Sequence, residues 1–138
     1  MEIAKIDEKK ILDNLKKTLD EYSKVRRFKL SDYSQVLRHQ GQTAELCLGR
    51  IIYLLPIIER WYREKRSEVI AEMTKTSMVT KEGRKMSAYE IESVIKGKSA
   101  KYREIRDITS EAKSFLCHRI TFIQSLLKSS DEKRSMGA

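Results

Sequence analysis

Apolar residues in the first part of the chain recur at spacings of three and four. Ile11, Leu12, Leu15, Leu19, Tyr22 and Val25 fall on one face of a helix running from Asp7 to about Arg27, with Asp7 placed as its N-cap. The stretch RRFKLSD breaks this stripe and offers Ser31 or Asp32 as the next cap. A longer stripe follows, made of Tyr33, Val36, Leu37, Ala44, Leu48, Ile51, Ile52, Leu55, Ile58, Trp61 and Tyr62. It predicts a helix from about Tyr33 to at least Met73. Pro56 lacks a backbone donor and crowds the preceding turn, so a kink or a split is expected there.

Ser87 and Glu90 in MSAYE have the spacing of a capping box, in which each residue satisfies a backbone N–H of the other. The short helix they open is expected to stop at Gly97, and Ser99 to cap a last long helix reaching about Lys128. The inner line of that helix is Tyr102, Ile105, Thr109, Ala112, Leu116, Ile123 and Leu126, widened by Ile108, Phe115 and Phe122. The final SSDEKRSMGA has no periodicity and reads as a loose tail, 130–138. The expected fold is all-α: an N-terminal amphipathic helix (1–30), then a long antiparallel helical hairpin (31–129) with the short helix near its tip. No segment has the alternation of a strand, and no internal repeat is visible.

Composition narrows this picture. With five Gly and one Pro in 138 residues, a turn-rich β fold is disfavoured. A hydrophobic share of 40% beside a charged share of 36% suits narrow helices that each bury one stripe. The stripe between Leu46 and Ile58 carries more apolar side chains than one partner helix covers. Leu48, Ile51, Ile52, Leu55 and Ile58 are therefore the expected interface of a homo-oligomer. No run of about 20 apolar residues is present, so no membrane-spanning segment is expected. MEIAKIDEKK lacks the apolar core of a signal peptide, which points to a cytoplasmic protein with Cys47 and Cys117 as reduced thiols.

Candidate chemistry is sparse. Gly83-Arg84-Lys85 has neither the second glycine nor the preceding strand of a phosphate-binding P-loop, and it reads as a turn. Cys117 and His118 are neighbours and project about 100° apart on a helix, unsuited to one metal ion. His39 and Cys47 have no partner in the pattern. Glu59, Glu64, Glu68 and Glu72 sit among Arg and Lys on a helix, as solvated ion pairs do. Neither an enzyme nor a metal or other cofactor is expected.

Charge is the informative feature. The net charge is +9, and Arg60 to Arg106 holds thirteen basic residues against seven acids. Trp61, Tyr62, Tyr89 and Tyr102 are interleaved with them. Cations can follow a sugar–phosphate backbone while rings stack on unpaired bases, with no sequence read. Arg60, Arg63, Lys65, Arg66, Arg84 and Lys85 are the candidate phosphate contacts, with Trp61 and Tyr62 as candidate stacking rings. The same two rings continue the apolar stripe, so core positions also suit them.

From about Ala44 to Ser129 the chain resembles phage recombination-mediator proteins of the UvsY type. The matching stretches are WYREKRSEVIAEM, then MSAYEIESVIKG, then KYREIRDITSEAKSFLCHRITFIQSLL with its internal Arg119. The resemblance implies a self-associating protein that binds single-stranded DNA and helps a strand-exchange recombinase replace single-strand-binding protein. It also places the family's basic K-x-R segment at Arg63-Glu64-Lys65, with the two cations in reversed order. A second reading belongs to another class: a helical adaptor or inhibitor, phage-encoded, whose cations meet an acidic protein surface and which has no direct nucleic-acid role.

Overall fold

The computed structural model describes residues 2–137, with the side chains of residues 8–133. Four helices follow in chain order: α1 (Glu2–Arg27), α2 (Ser34–Lys75), α3 (Ala88–Lys98) and α4 (Ala100–Gly137). Among the described residues the only β pairing is an isolated bridge between Val79 and Lys85. The fold is all-α, as the periodicity predicts.

Several boundaries differ from expectation, each for a physical reason. α1 begins at Glu2, so Asp7 lies within it and is not its N-terminal boundary. α2 runs through Pro56 unbroken. The lost hydrogen bond and the ring's crowding are local costs, and they fall within a helix of 42 residues. The segment expected as a loose tail, 130–138, continues α4 as far as Gly137. Glu, Lys, Arg and Met within it have good helix propensity, which lets the helix continue from the packed part of α4. The segment is also tied to α2, by the Ser34 and Ser130 hydroxyls at 3.1 Å and by Arg38 to Asp131 at 3.3 Å.

The chain forms two compact units, Met1–Leu54 with Thr109–Ala138, and Leu55–Ile108. α1 lies in the first unit with parts of α2 and α4. In the first unit Tyr22 and Val25 of α1 share a core with Ala44, Cys47 and Ile51 of α2 and Ala112, Leu116 and Ile120 of α4. Here α2 and α4 run antiparallel: Ser34 meets Ser130, and seven residues on Gly41 approaches Ile123. A Cβ on Gly41 would lie 3.1 Å from Ile123 Cγ2, so the missing side chain allows the close approach. The Cys47 thiol donates to the Thr18 carbonyl at 3.7 Å, and burial pushes its pKa up to about 11. Because the unfolded thiol ionises first, this group favours the unfolded chain as pH rises above 9.0 towards that value.

The second unit has its own small core of Val69, Met73 and Ile95, packed by Met78, Met86, Ile91 and Val94. Its local structure is built from helix ends. Past Lys75 the Met78 N–H donates to the Met73 carbonyl at 3.0 Å and the Ser77 N–H to the Thr74 carbonyl at 3.1 Å. These two bonds define a Schellman stop, with Met78 packed in the same cluster as Met73. The left-handed position usually given to glycine is held by Ser77, at φ 57°. Ser77→Gly should therefore raise stability by about 1 kcal/mol by relieving the Cβ clash, measured by urea denaturation.

The chain then turns back on itself. Thr80 N–H donates to the Arg84 carbonyl at 2.7 Å and Met86 N–H to the Met78 carbonyl at 2.9 Å, with Gly83 at φ 82° in the turn. Ser87 and Glu90 form the predicted capping box at the start of α3. Gly97 is not the stop: α3 runs on to Lys98 and Ser99 is its C-cap. The Ser99 hydroxyl donates back to the Ile95 carbonyl, so it closes α3 and does not cap α4 through its side chain.

The expectation that no segment crosses a membrane is met in part. By length and composition α2 is apolar enough to cross one, with a window of mean hydropathy 1.2. Of that window 39% is buried inside the fold, including Ile51 and Cys47 in the first unit's core.

Candidate nucleic-acid interface

The second unit carries thirteen basic residues against nine acids, because its boundaries add Glu59 and Asp107 to the acids of the basic stretch. A net charge of +4 is modest, so the pairing of each cation decides what it offers a ligand.

Four of the six predicted phosphate contacts have carboxylate partners. Arg60 lies 3.8 Å from Glu64, Lys65 lies 3.7 Å from Glu68, and Arg66 lies 3.6 Å from Glu92 on α3. Arg84 donates through one nitrogen to both oxygens of Glu90, at 3.0 and 3.2 Å. Glu90 is also the acid of the capping box, and its pKa is lowered first by the Arg84 hydrogen bond and then by the Ser87 backbone N–H. Arg84 therefore braces the start of α3. Arg63 and Lys85 are exposed and, among the described residues, have no acid partner. Lys75, Lys81, Lys96 and Arg103 likewise form no ion pair among the described residues. These cations give up no internal contact when they meet a phosphate.

Along α2, Arg60, Arg63, Glu64, Ser67, Glu68 and Ala71 line a shallow depression of about 520 Å³. Two guanidiniums alternate there with two carboxylates, so this face has little net charge. A continuous phosphate track along α2 is not what it presents.

The aromatic side chains divide in the same way. Trp61 is half-buried and meets Tyr102 edge to face, with ring centroids 6.5 Å apart. Tyr62 is half-buried beneath Arg106, whose guanidinium carbon lies 4.4 Å from the ring centroid. Both rings are half-buried and engaged by neighbours inside the unit. Tyr89, on the first turn of α3, is 81% exposed and is the ring on offer. A large aromatic left in water, in a unit that also carries unpaired lysines, is what stacking on unpaired bases uses.

The expected oligomer interface is mostly occupied by the chain itself. Ile51, Leu55 and Ile58 are buried, and Leu48 packs against the first unit's core. Only Ile52, 49% exposed, remains open to a partner. The apolar excess on α2 is absorbed by α1 and α4, which the single-partner count omitted. Between Leu46 and Ile58, Leu46 and Tyr53 are the other large apolar residues left exposed, each 69%. They border a cavity of about 450 Å³ between α1 and α2, with Asn14, Thr18, Gly49 and Leu54.

His39, Cys117 and His118 are exposed and Cys47 is buried. Among the described residues no three His, Cys, Asp or Glu side chains lie close enough to hold a metal ion. In the turn at Gly83 two N–H groups are used internally: Gly83 N–H donates to the Thr80 carbonyl and Arg84 N–H to the Thr80 hydroxyl.

The chain matches no protein-family model, no curated protein and no solved structure. Its likeness to UvsY-type mediators rests on the residue pattern alone.

Proposed function

We propose that this protein binds single-stranded DNA without reading its sequence and acts in the cytoplasm as an accessory to a strand-exchange recombinase. The observation that carries the reading is the set of acid-free cations in the second unit, Arg63 and Lys85 among them, together with the exposed ring of Tyr89 in the same unit. Phosphate contacts on these side chains release counterions from the strand and tolerate any base order. The recombinase and the single-strand-binding protein enter through the UvsY-type resemblance.

Changing Arg63 and Lys85 together to alanine should reduce the log–log salt slope of oligothymidylate binding by roughly 1.4. The affinity near 0.1 M salt should fall about 25-fold, roughly fivefold for each lost contact. Melting should change little, since neither side chain has an internal partner. Fluorescence anisotropy over a salt series measures this, and normal binding with an unchanged slope would remove the second unit from the interface.

Self-association belongs to the same proposal, moved to the residues that remain open. Leu46 and Tyr53, with Ile52, take the place of Ile51, Leu55 and Ile58. Leu46→Glu with Tyr53→Glu should give a folded monomer by sedimentation at concentrations where the unaltered chain is an oligomer. A monomeric unaltered chain would end that part of the reading.

A further inference from the structure

The second unit does not hold all of the unpaired positive charge. From Tyr22 to Ser31 the chain has no acid, and from Ala112 to Ser130 it has none either. The first stretch is the end of α1 and the loop beyond it, with Lys24, Arg26, Arg27 and Lys29 all exposed. The second is a segment of α4 that packs against it. Arg119 of α4 donates to the Arg26 carbonyl at 3.4 Å. The guanidinium carbons of Arg119 and Arg26 lie 5.1 and 5.8 Å from the centroid of the same ring, Phe115. Two like charges therefore converge on one phenyl group, and no carboxylate pairs with either among the described residues.

We infer that this corner of α1 and α4, whose two stretches carry no acid of their own, is a further contact surface for single-stranded DNA, with Arg26, Arg27, Lys29 and Arg119 as phosphate partners. The inference rests on the single-strand reading proposed above. Cations in the last turn of α1 also complement the helix dipole, which accounts for Lys24, Arg26 and Arg27 by themselves. It does not account for Lys29, which lies beyond the helix, or for Arg119, which comes from another one. Nor does it account for the rings beside them. Phe28 stands exposed between Arg27 and Lys29, and Phe122, 53% exposed, follows Arg119 by one turn of α4. Alternating cations and open rings fit a strand whose phosphates and bases alternate, better than they fit an acidic peptide.

The backbone that displays these groups is fixed. Gln40 of α2 donates through Nε2 to the Lys29 carbonyl and accepts through Oε1 from the Ser31 N–H, both at 3.0 Å. The loop is thus held in place before any ligand arrives, which lowers the entropy cost of binding.

The test is oligothymidylate binding over a salt series by fluorescence anisotropy, with the fold checked by circular dichroism. Arg27→Gln with Lys29→Gln removes two exposed side chains that have no internal contact, so folding is preserved. The slope should drop by roughly 1.4 and the affinity near 0.1 M salt by about 25-fold. Arg119→Gln should add a further loss of roughly fivefold. Phe122→Ala should weaken binding at least about fivefold with the slope unchanged, the signature of a lost stack. Photo-crosslinking with an iodouracil-substituted oligonucleotide should mark the peptide holding Phe28 or that holding Phe122. If the Arg27/Lys29 variant binds normally while the Arg63/Lys85 variant is impaired, this corner is not part of the interface and the function stands. If the unaltered protein binds no oligonucleotide, both fall together. Impaired binding to phosphatidylserine vesicles with intact oligonucleotide binding would instead assign the corner to a lipid surface and overturn the inference.

Discussion

Replacing Ile51 with aspartate should leave no cooperatively folded protein at room temperature, seen as loss of the thermal transition in circular dichroism. Ile51 is 0% exposed and packed among Ala44, Cys47 and Leu116 in the first unit's core. A carboxylate there has no cation within the core, so it either stays charged without a partner or takes up a proton. Each route costs several kcal/mol. A domain of this size holds roughly 5–15 kcal/mol of net stability, which such a loss largely consumes. Ile52 supplies the control, since it is the next residue and half open to solvent. Ile52→Asp should leave the chain folded, with the stability of the single chain shifted by only about 0.5 kcal/mol, while it weakens the proposed self-association. The pair also separates core from interface: a folded but dissociated Ile51→Asp variant would mean that the residue faces a second copy.

The second large effect belongs to the other core. Val69 is 1% exposed and joins Met73 and Ile95, and that small cluster is what α3 and the turn before it pack on. Val69→Asp should abolish hydrogen-exchange protection across α3. The capping box and the Arg84–Glu90 bridge are exposed and each contributes too little to hold the helix alone. Single-strand affinity should fall with it, because Lys85, Tyr89 and Lys96 are positioned by this segment. Protection retained in α3 would show that local capping suffices. Protection lost with affinity unchanged would remove α3 and its turn from the interface.

What the sequence revealed follows how far along the chain each interaction reaches. The stripes of α1, α2 and α4 repeat every three or four residues, and the capping box spans only Ser87 to Glu90, so both were legible. The Schellman stop at Ser77 was not, since a pattern reader looks for glycine there and the chain uses serine held by Met78. Pairing across elements was also hidden. Arg66 and Glu92 are distant in sequence, so a basic run looked freer than it is. For the same reason the corner at Arg26 and Arg119 escaped notice: half of it lies on α1 and half on α4, and neither half is a long run of charge. An acid-free interval, rather than a basic-rich one, was the available signal. The oligomer stripe failed on arithmetic, because three helices and not two share the first core.

The clamp made by Gln40 has a consequence in chemical ageing. Its carboxamide works as a donor at one end and an acceptor at the other, and only an amide can serve both the Lys29 carbonyl and the Ser31 N–H. Deamidation to glutamate, a change of nearly identical shape, would set an anionic oxygen against the Lys29 carbonyl and add a carboxylate at the loop that carries Lys29. The loop would lose its anchor and gain a negative charge in one hydrolytic event, so the lifetime of that amide limits how long the surface keeps its character.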